Sequence, residues 1–171
     1  PGGGVPFRTR GVSAGPVDAP PLFVMGAAEA WRWRALGREQ LERLAPAVDA
    51  ALTWMLGVGD SDGDGFIDYR RRGDEGLSNQ GWKASWDGIT SADGRLPRAP
   101  VALAEVQGYA FAAFTGAIDI AAAMPLQHTA ADLRHAAERL RRAFNEKFWE
   151  PRGWFAVGLD DDGHRIDALT T

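Results

Sequence analysis

The chain has 171 residues, no cysteine, and a net charge of −4 from 19 Lys and Arg against 23 Asp and Glu. That length supports one domain with its own core. The mild acidic balance gives no electrostatic reason to expect nucleic acid or an anionic membrane as partner, and disulfides and Cys-ligated metals are excluded.

The chain opens Pro1-Gly-Gly-Gly4 without an initiator Met or the basic-then-apolar pattern of a signal peptide, and it closes on Asp167-Ala-Leu-Thr-Thr171 without a cap. Both ends read as cuts through a longer chain, and a cytoplasmic location is the expectation. Residues 1–20, rich in Gly and Pro, read as an irregular lead-in. Helical spacing follows from Pro21 to Ala35, then from Glu39 to Leu56, where Leu41, Leu44, Val48, Leu52 and Met55 share a stripe. Pro46 inside the second helix implies a kink or a late start. Residues 57–100 are glycine-rich and read as a long functional loop with short strands.

A third helix, Val101 to Met124, is apolar on nearly all sides and is stopped by Pro125. Glu105, Gln107 and Asp119 within it favour a buried helix over a membrane span. The fourth runs from Ala130 to Trp149, with Thr129 and Asp132 spaced as an N-cap and a first-turn acid. Gly153–Leu159 and His164–Leu169, joined by Asp160-Asp-Asp-Gly163, read as a β-hairpin. Helices with one wet face thus alternate with a dry one, a pattern that suits concentric helical layers or a helical bundle.

Three stretches carry chemistry. In Asp60-Ser-Asp-Gly-Asp-Gly-Phe-Ile-Asp-Tyr69, Asp60, Asp62 and Asp64 fall at positions 1, 3 and 5 of an EF-hand-like loop, with Gly65 at 6, Ile67 at 8 and Asp68 at 9. Arg71 stands at position 12, where calcium needs a bidentate Glu, and alternating Asp and Gly also form tight turns with no metal. The second stretch, Gly76 to Asp87, brings Asn79, Gln80, Lys83 and Asp87 together with Trp82 and Trp86. Amides, a cation and a carboxylate bridge vicinal hydroxyls while indole packs on a pyranose face; the alternative is a polar surface loop pinned by two buried tryptophans. The third is Glu105, Gln107 and Tyr109 at the start of the dry helix. Positions 105 and 109 share a face, and 107 points about 200° away by helical geometry. Glu105 reads equally as a satisfied structural carboxylate or a functional one.

Val17-Asp18-Ala-Pro-Pro21, Asp62-Gly-Asp-Gly-Phe-Ile-Asp-Tyr69, Asn79-Gln-Gly-Trp-Lys83, Ser85, Asp87 and Glu105-Val-Gln-Gly-Tyr109, in this order, resemble the glycogen debranching (amylo-α-1,6-glucosidase) group of six-hairpin glycosidases. The resemblance runs from about Gly11 to the C-terminus. It implies an all-α fold, a partial (α/α)6 toroid in which residues 1–171 are a fragment of a single glycosidase domain. It also implies inverting hydrolysis of α-glucosides or related oligosaccharides by two carboxyls about 6.5–9.5 Å apart. By this resemblance Asp18, Tyr69, Asn79, Gln80, Trp82, Lys83, Glu105 and Gln107 surround the sugar. Relatives commonly read Asn-Gln-Gly-Trp-Lys-Asp-Ser, and that Asp resembles their general acid; here the position is Ala84, which donates no proton. Asp87 is then the catalytic candidate, and the base lies in relatives beyond this chain's end. An inactive sugar-binding paralogue is the alternative, and a calcium-loop helical module built on Asp60, Asp62 and Asp64 is the third reading. The hydrolase chemistry calls for no cofactor or metal, and the expected partner is an oligosaccharide or small glycoside.

Overall fold

A computed structural model describes residues 16–70, 79–83 and 85–169. Most of the expected lead-in, Arg71 of the acidic loop and Ala84 lie outside the described residues.

The four expected helices are present, each with shifted ends. Helix α1 (Ala19–Arg32) starts two residues earlier than Pro21, because Pro20 and Pro21 sit in a first turn whose N–H groups need no helical partner. It ends before Ala35, where Arg34 enters the left-handed region (φ 56°) and turns the Ala35 N–H back onto the Ala30 C=O at 2.8 Å. Helix α2 (Arg38–Met55) begins where Gly37 N–H donates to Gln40 Oε1 at 2.6 Å, and it continues through Pro46, so no late start occurs. Strand β1 (Ala102–Leu103) leads directly into α3 (Ala104–Ala123). Helix α4 (Ala130–Lys147) opens with the expected cap: Thr129 N–H donates to Asp132 Oδ2 at 3.0 Å, and Asp132 N–H donates to Thr129 Oγ1 at 3.2 Å. It stops short of Trp149 because β2 (Trp149–Glu150) pairs there with β3 (Trp154–Phe155).

The foreseen hairpin is β4 (Gly158–Leu159) against β5 (Arg165–Ile166), with Leu159 opposite Arg165 and Gly163 at φ 71° in the turn. The sequence pattern did not reveal that β1 adds to it, Ala102 opposite Leu159, giving an antiparallel sheet in the order β1-β4-β5. The described residues are therefore mostly helical, as expected, with the C-terminal hairpin extended by β1 into a small antiparallel sheet and a separate β2–β3 pair beside it in sequence.

Helix α1 packs on both α2 and α3, and α3 packs also on α4. The α1–α3 approach is close: a Cβ on Gly116 would lie 2.6 Å from the Ala28 Cβ, so any larger residue would push the two helices apart. Among the described residues α3 is the one helix long and apolar enough to cross a bilayer, yet it buries Val106, Ala110, Ala113, Phe114, Ala117 and Ile120 against its neighbours. Contrary to the expectation of a helix dry all round, one face is open. Gly108, Phe111, Thr115, Asp119 and Ala122 form an exposed stripe at helical spacing. Phe148, just past α4, is fully buried; it stacks on Phe144 and meets Phe66 edge-on at 5.1 Å, tying the end of α4 to the acidic loop.

Candidate functional site

The acidic loop leaves α2 and closes on itself. Asp60 accepts from Gly63 N–H at 2.7 Å and Gly65 N–H at 2.9 Å, both glycines having left-handed φ (82° and 95°). Asp64 accepts from Phe66 N–H at 2.9 Å, and the buried Asp68 accepts from Ser61 N–H at 2.8 Å and Ser61 Oγ at 2.6 Å. The carboxylates able to share a cation are Asp60, Asp62 and Asp68, with ligand atoms within 4.8 Å of one another. Asp64, expected as a ligand with the first two, is outside that group. Burial pushes its carboxyl up to about 6, against the pull of the Phe66 N–H, and the neighbouring Asp charges add to the rise. Asp68 is raised for the same first reason. Each of these carboxylates spends lone pairs on the loop's own donors, so the turns close without a metal.

The second group gathers where this loop, residues 79–87 and the start of α3 meet. The Tyr69 backbone bridges Val101 through bonds of 3.0 and 2.9 Å, and its phenol donates to Asn79 Oδ1 at 2.9 Å. Burial raises the phenol's pKa, and the nearby Glu105 adds to the rise. Asn79 Nδ2 donates in turn to the Ser85 C=O, and the Val17 N–H donates to the Gln80 C=O at 2.9 Å, which ties the start of α1 to the same loop. Gln80 and Asn79 are both buried.

Glu105 is the chemical focus. One of its oxygens, Oε1, is sealed from solvent and has no hydrogen-bond partner among the described residues. Burial raises its carboxyl, its own backbone N–H opposes that, the Asp18 charge adds to the rise, and Lys83 lowers it. Asp18 is the N-cap residue of α1 but makes no side-chain cap bond. Gly81 lies directly over Glu105: a Cβ there would overlap the Leu103 side chain and come within 2.8 Å of Glu105 Oε1. Sequence reasoning missed this glycine, although its place in Asn79-Gln-Gly-Trp-Lys83 was the available signal.

Outside this sealed layer stand the indoles. Trp82 is 59% exposed and Trp86 67% exposed, so the reading of a loop pinned by two buried tryptophans is overturned. The Lys83 Nζ lies 5.0 Å from the Trp82 ring centroid. Asp87 is exposed and, among the described residues, makes no side-chain hydrogen bond or ion pair, so nothing orients it as a proton donor. Gln107, expected at the sugar, is placed elsewhere. It is 1% exposed and its amide faces the backbone of Ile67 and Leu103. The structure therefore joins Asp18, Tyr69, Asn79, Gln80, Trp82, Lys83 and Glu105 and leaves out Gln107 and Asp87.

A larger cleft of about 710 Å³ lies between residues 91–98 and the β4–β5 hairpin. No Trp, Tyr or Phe lines it, and its Arg95, Arg98 and Asp167 are paired with Asp93, with Asp161 and Asp162, and with Arg152. It offers neither a stacking face nor an orphaned polar group. In comparisons with known proteins, no family model matches the chain and no curated protein matches it.

Proposed function

We propose that this chain carries a sugar subsite of a glycogen-debranching-like glycoside hydrolase domain of the (α/α)6 type, directed at α-glucosides or related oligosaccharides. The observation that carries the reading is the exposure of Trp82 and Trp86 on a loop that also bears Lys83 and lies over the half-buried Glu105. Glu105 as a residue is half-buried, and its carboxylate is an acceptor suited to a sugar hydroxyl. Indole faces held in water beside Lys83 supply the stacking surface and a hydroxyl donor. The pairing of α1 with α2 and α3 with α4, joined through α1 and α3, supports a toroid-like layering in which α1 and α3 form the inner layer.

One observation favours binding without hydrolysis. Ala84 stands where the resembling group places its acid, and the exposed Asp87 has no side-chain partner among the described residues to orient it. General-acid assistance is worth about 10²–10⁴-fold, so its loss leaves binding with little turnover. Calorimetric titration with maltotriose, together with release of nitrophenol from an aryl α-glucoside, separates the readings. Heat without turnover supports a binding-only site, and turnover supports the hydrolase. No heat at millimolar maltotriose sinks the sugar reading altogether.

A further inference from the structure

Gln107 sits half a turn beyond Glu105 on α3 and points the other way. The Ile67 N–H donates to its Oε1 at 2.9 Å, and its Nε2 donates to the Ile67 C=O at 2.7 Å and the Leu103 C=O at 3.0 Å. Both amide protons are used, and the side chain is 1% exposed, so no ligand reaches it. The amide engages Ile67 as a neighbouring strand would, through one donated and one accepted bond. Two residues on, Tyr69 is pinned to Val101 through its backbone and donates its phenol proton to Asn79. Asn79 then holds the Ser85 carbonyl, bracketing the segment that bears Trp82 and Lys83. Hydrogen bonds joined by the backbone from Ile67 to Tyr69, and buried as far as Asn79, thus run from α3 to the Ser85 carbonyl, between the two exposed indoles in the chain. Losing the Gln107 amide orphans the Ile67 N–H and C=O, and the short backbone from Ile67 to Tyr69 passes on any shift of that segment.

We propose that Gln107 is a positioning residue: through Ile67, Tyr69 and Asn79 it sets the loop that presents Trp82 and Lys83. What the loop is presented to rests on the sugar-site reading above; the mechanical linkage does not. Gln107 acts by holding the first contacts still before a ligand arrives, which is where a supporting residue contributes most.

The test uses protein labelled with fluorotryptophan, the fluorine resonances of Trp82 and Trp86 being assigned with Trp82→Phe and Trp86→Phe. Gln107→Leu is expected to shift or broaden both resonances well below its melting temperature and to weaken maltotriose binding roughly tenfold. Gln107→Glu is expected to match Gln107→Leu near neutral pH, because a carboxylate has no proton for the Ile67 and Leu103 carbonyls. Lowering the pH restores one O–H donor, so the two resonances return toward wild type in Gln107→Glu and not in Gln107→Leu at the same pH. If every variant lowers the melting temperature yet leaves both resonances and the maltotriose affinity unchanged, the proposal is overturned. Should Gln107→Leu fail to fold, Tyr69→Phe deletes only the phenol–Asn79 bond and must move the same resonances; unmoved resonances there also overturn it. Wild-type protein that ignores maltotriose refutes the sugar reading alone, since the fluorine spectra still decide the linkage.

Discussion

Replacing Glu105 by methionine separates stability from binding at one residue. Glu105 Oε1 is sealed without a hydrogen-bond partner among the described residues, and burial raises the carboxyl's pKa. Removing an unsatisfied buried polar group relieves about 1–3 kcal/mol. Against this, α3 loses an acid from its first turn, which costs about 0.3–1 kcal/mol. Glu105→Met is therefore expected to be more stable near pH 8 by about 1–2 kcal/mol, a rise of about 2–8 °C in melting temperature for a domain of this size. The sign with pH follows from the raised pKa. Below its unfolded pKa the group is protonated in both states and adds nothing; as pH rises through the folded value, ionisation penalises the folded state. The gap between variant and wild type should thus shrink at pH 4 and widen toward pH 8, while maltotriose binding is lost throughout. Thermal unfolding followed by far-UV circular dichroism across that range is the assay. A variant less stable than wild type at pH 8, or a gap that does not change with pH, would refute the reasoning.

Three further perturbations test other parts of the molecule. Phe148→Ala removes a fully buried ring that contacts Phe66 and Phe144, and should lower stability by about 3–5 kcal/mol in urea titration; a loss under about 1 kcal/mol would mean the acidic loop is not anchored there. Gly81→Ala forces a Cβ against Leu103 and Glu105, so it should cost about 1–3 kcal/mol and displace the Trp82 fluorescence maximum; an unchanged spectrum would count against a loop seated on Glu105. Asp64, raised to about 6 mainly by burial, contributes stability that is full below its ordinary 3.8 and is lost as pH rises through 6. Asp64→Asn should flatten that part of the melting-temperature profile, and an identical profile would show that Asp64 does not titrate there.

Periodicity in the sequence determined the four helices, because an apolar stripe at helical spacing can be buried only by a helix. Thr129 and Asp132 marked the start of α4 because a cap is satisfied within its own turn, and Asp160 to Gly163 marked the β4–β5 turn for the same local reason. Helical geometry even separated Glu105 from Gln107. What covers each face is another matter. A stripe reports that a surface is apolar and says nothing of its partner, so the apolar composition of α3 did not disclose the open row at Phe111 and Thr115. Likewise, only the tertiary structure joined β1 to β4, set Asp68 rather than Asp64 beside Asp60 and Asp62, and bonded the Gln107 amide to the Ile67 backbone. Gln107 and Ile67 are 40 residues apart in the chain, and bonds across such a distance leave no local pattern to read. The residue types at the site were legible in the sequence; their roles depended on which neighbours folding brought against them.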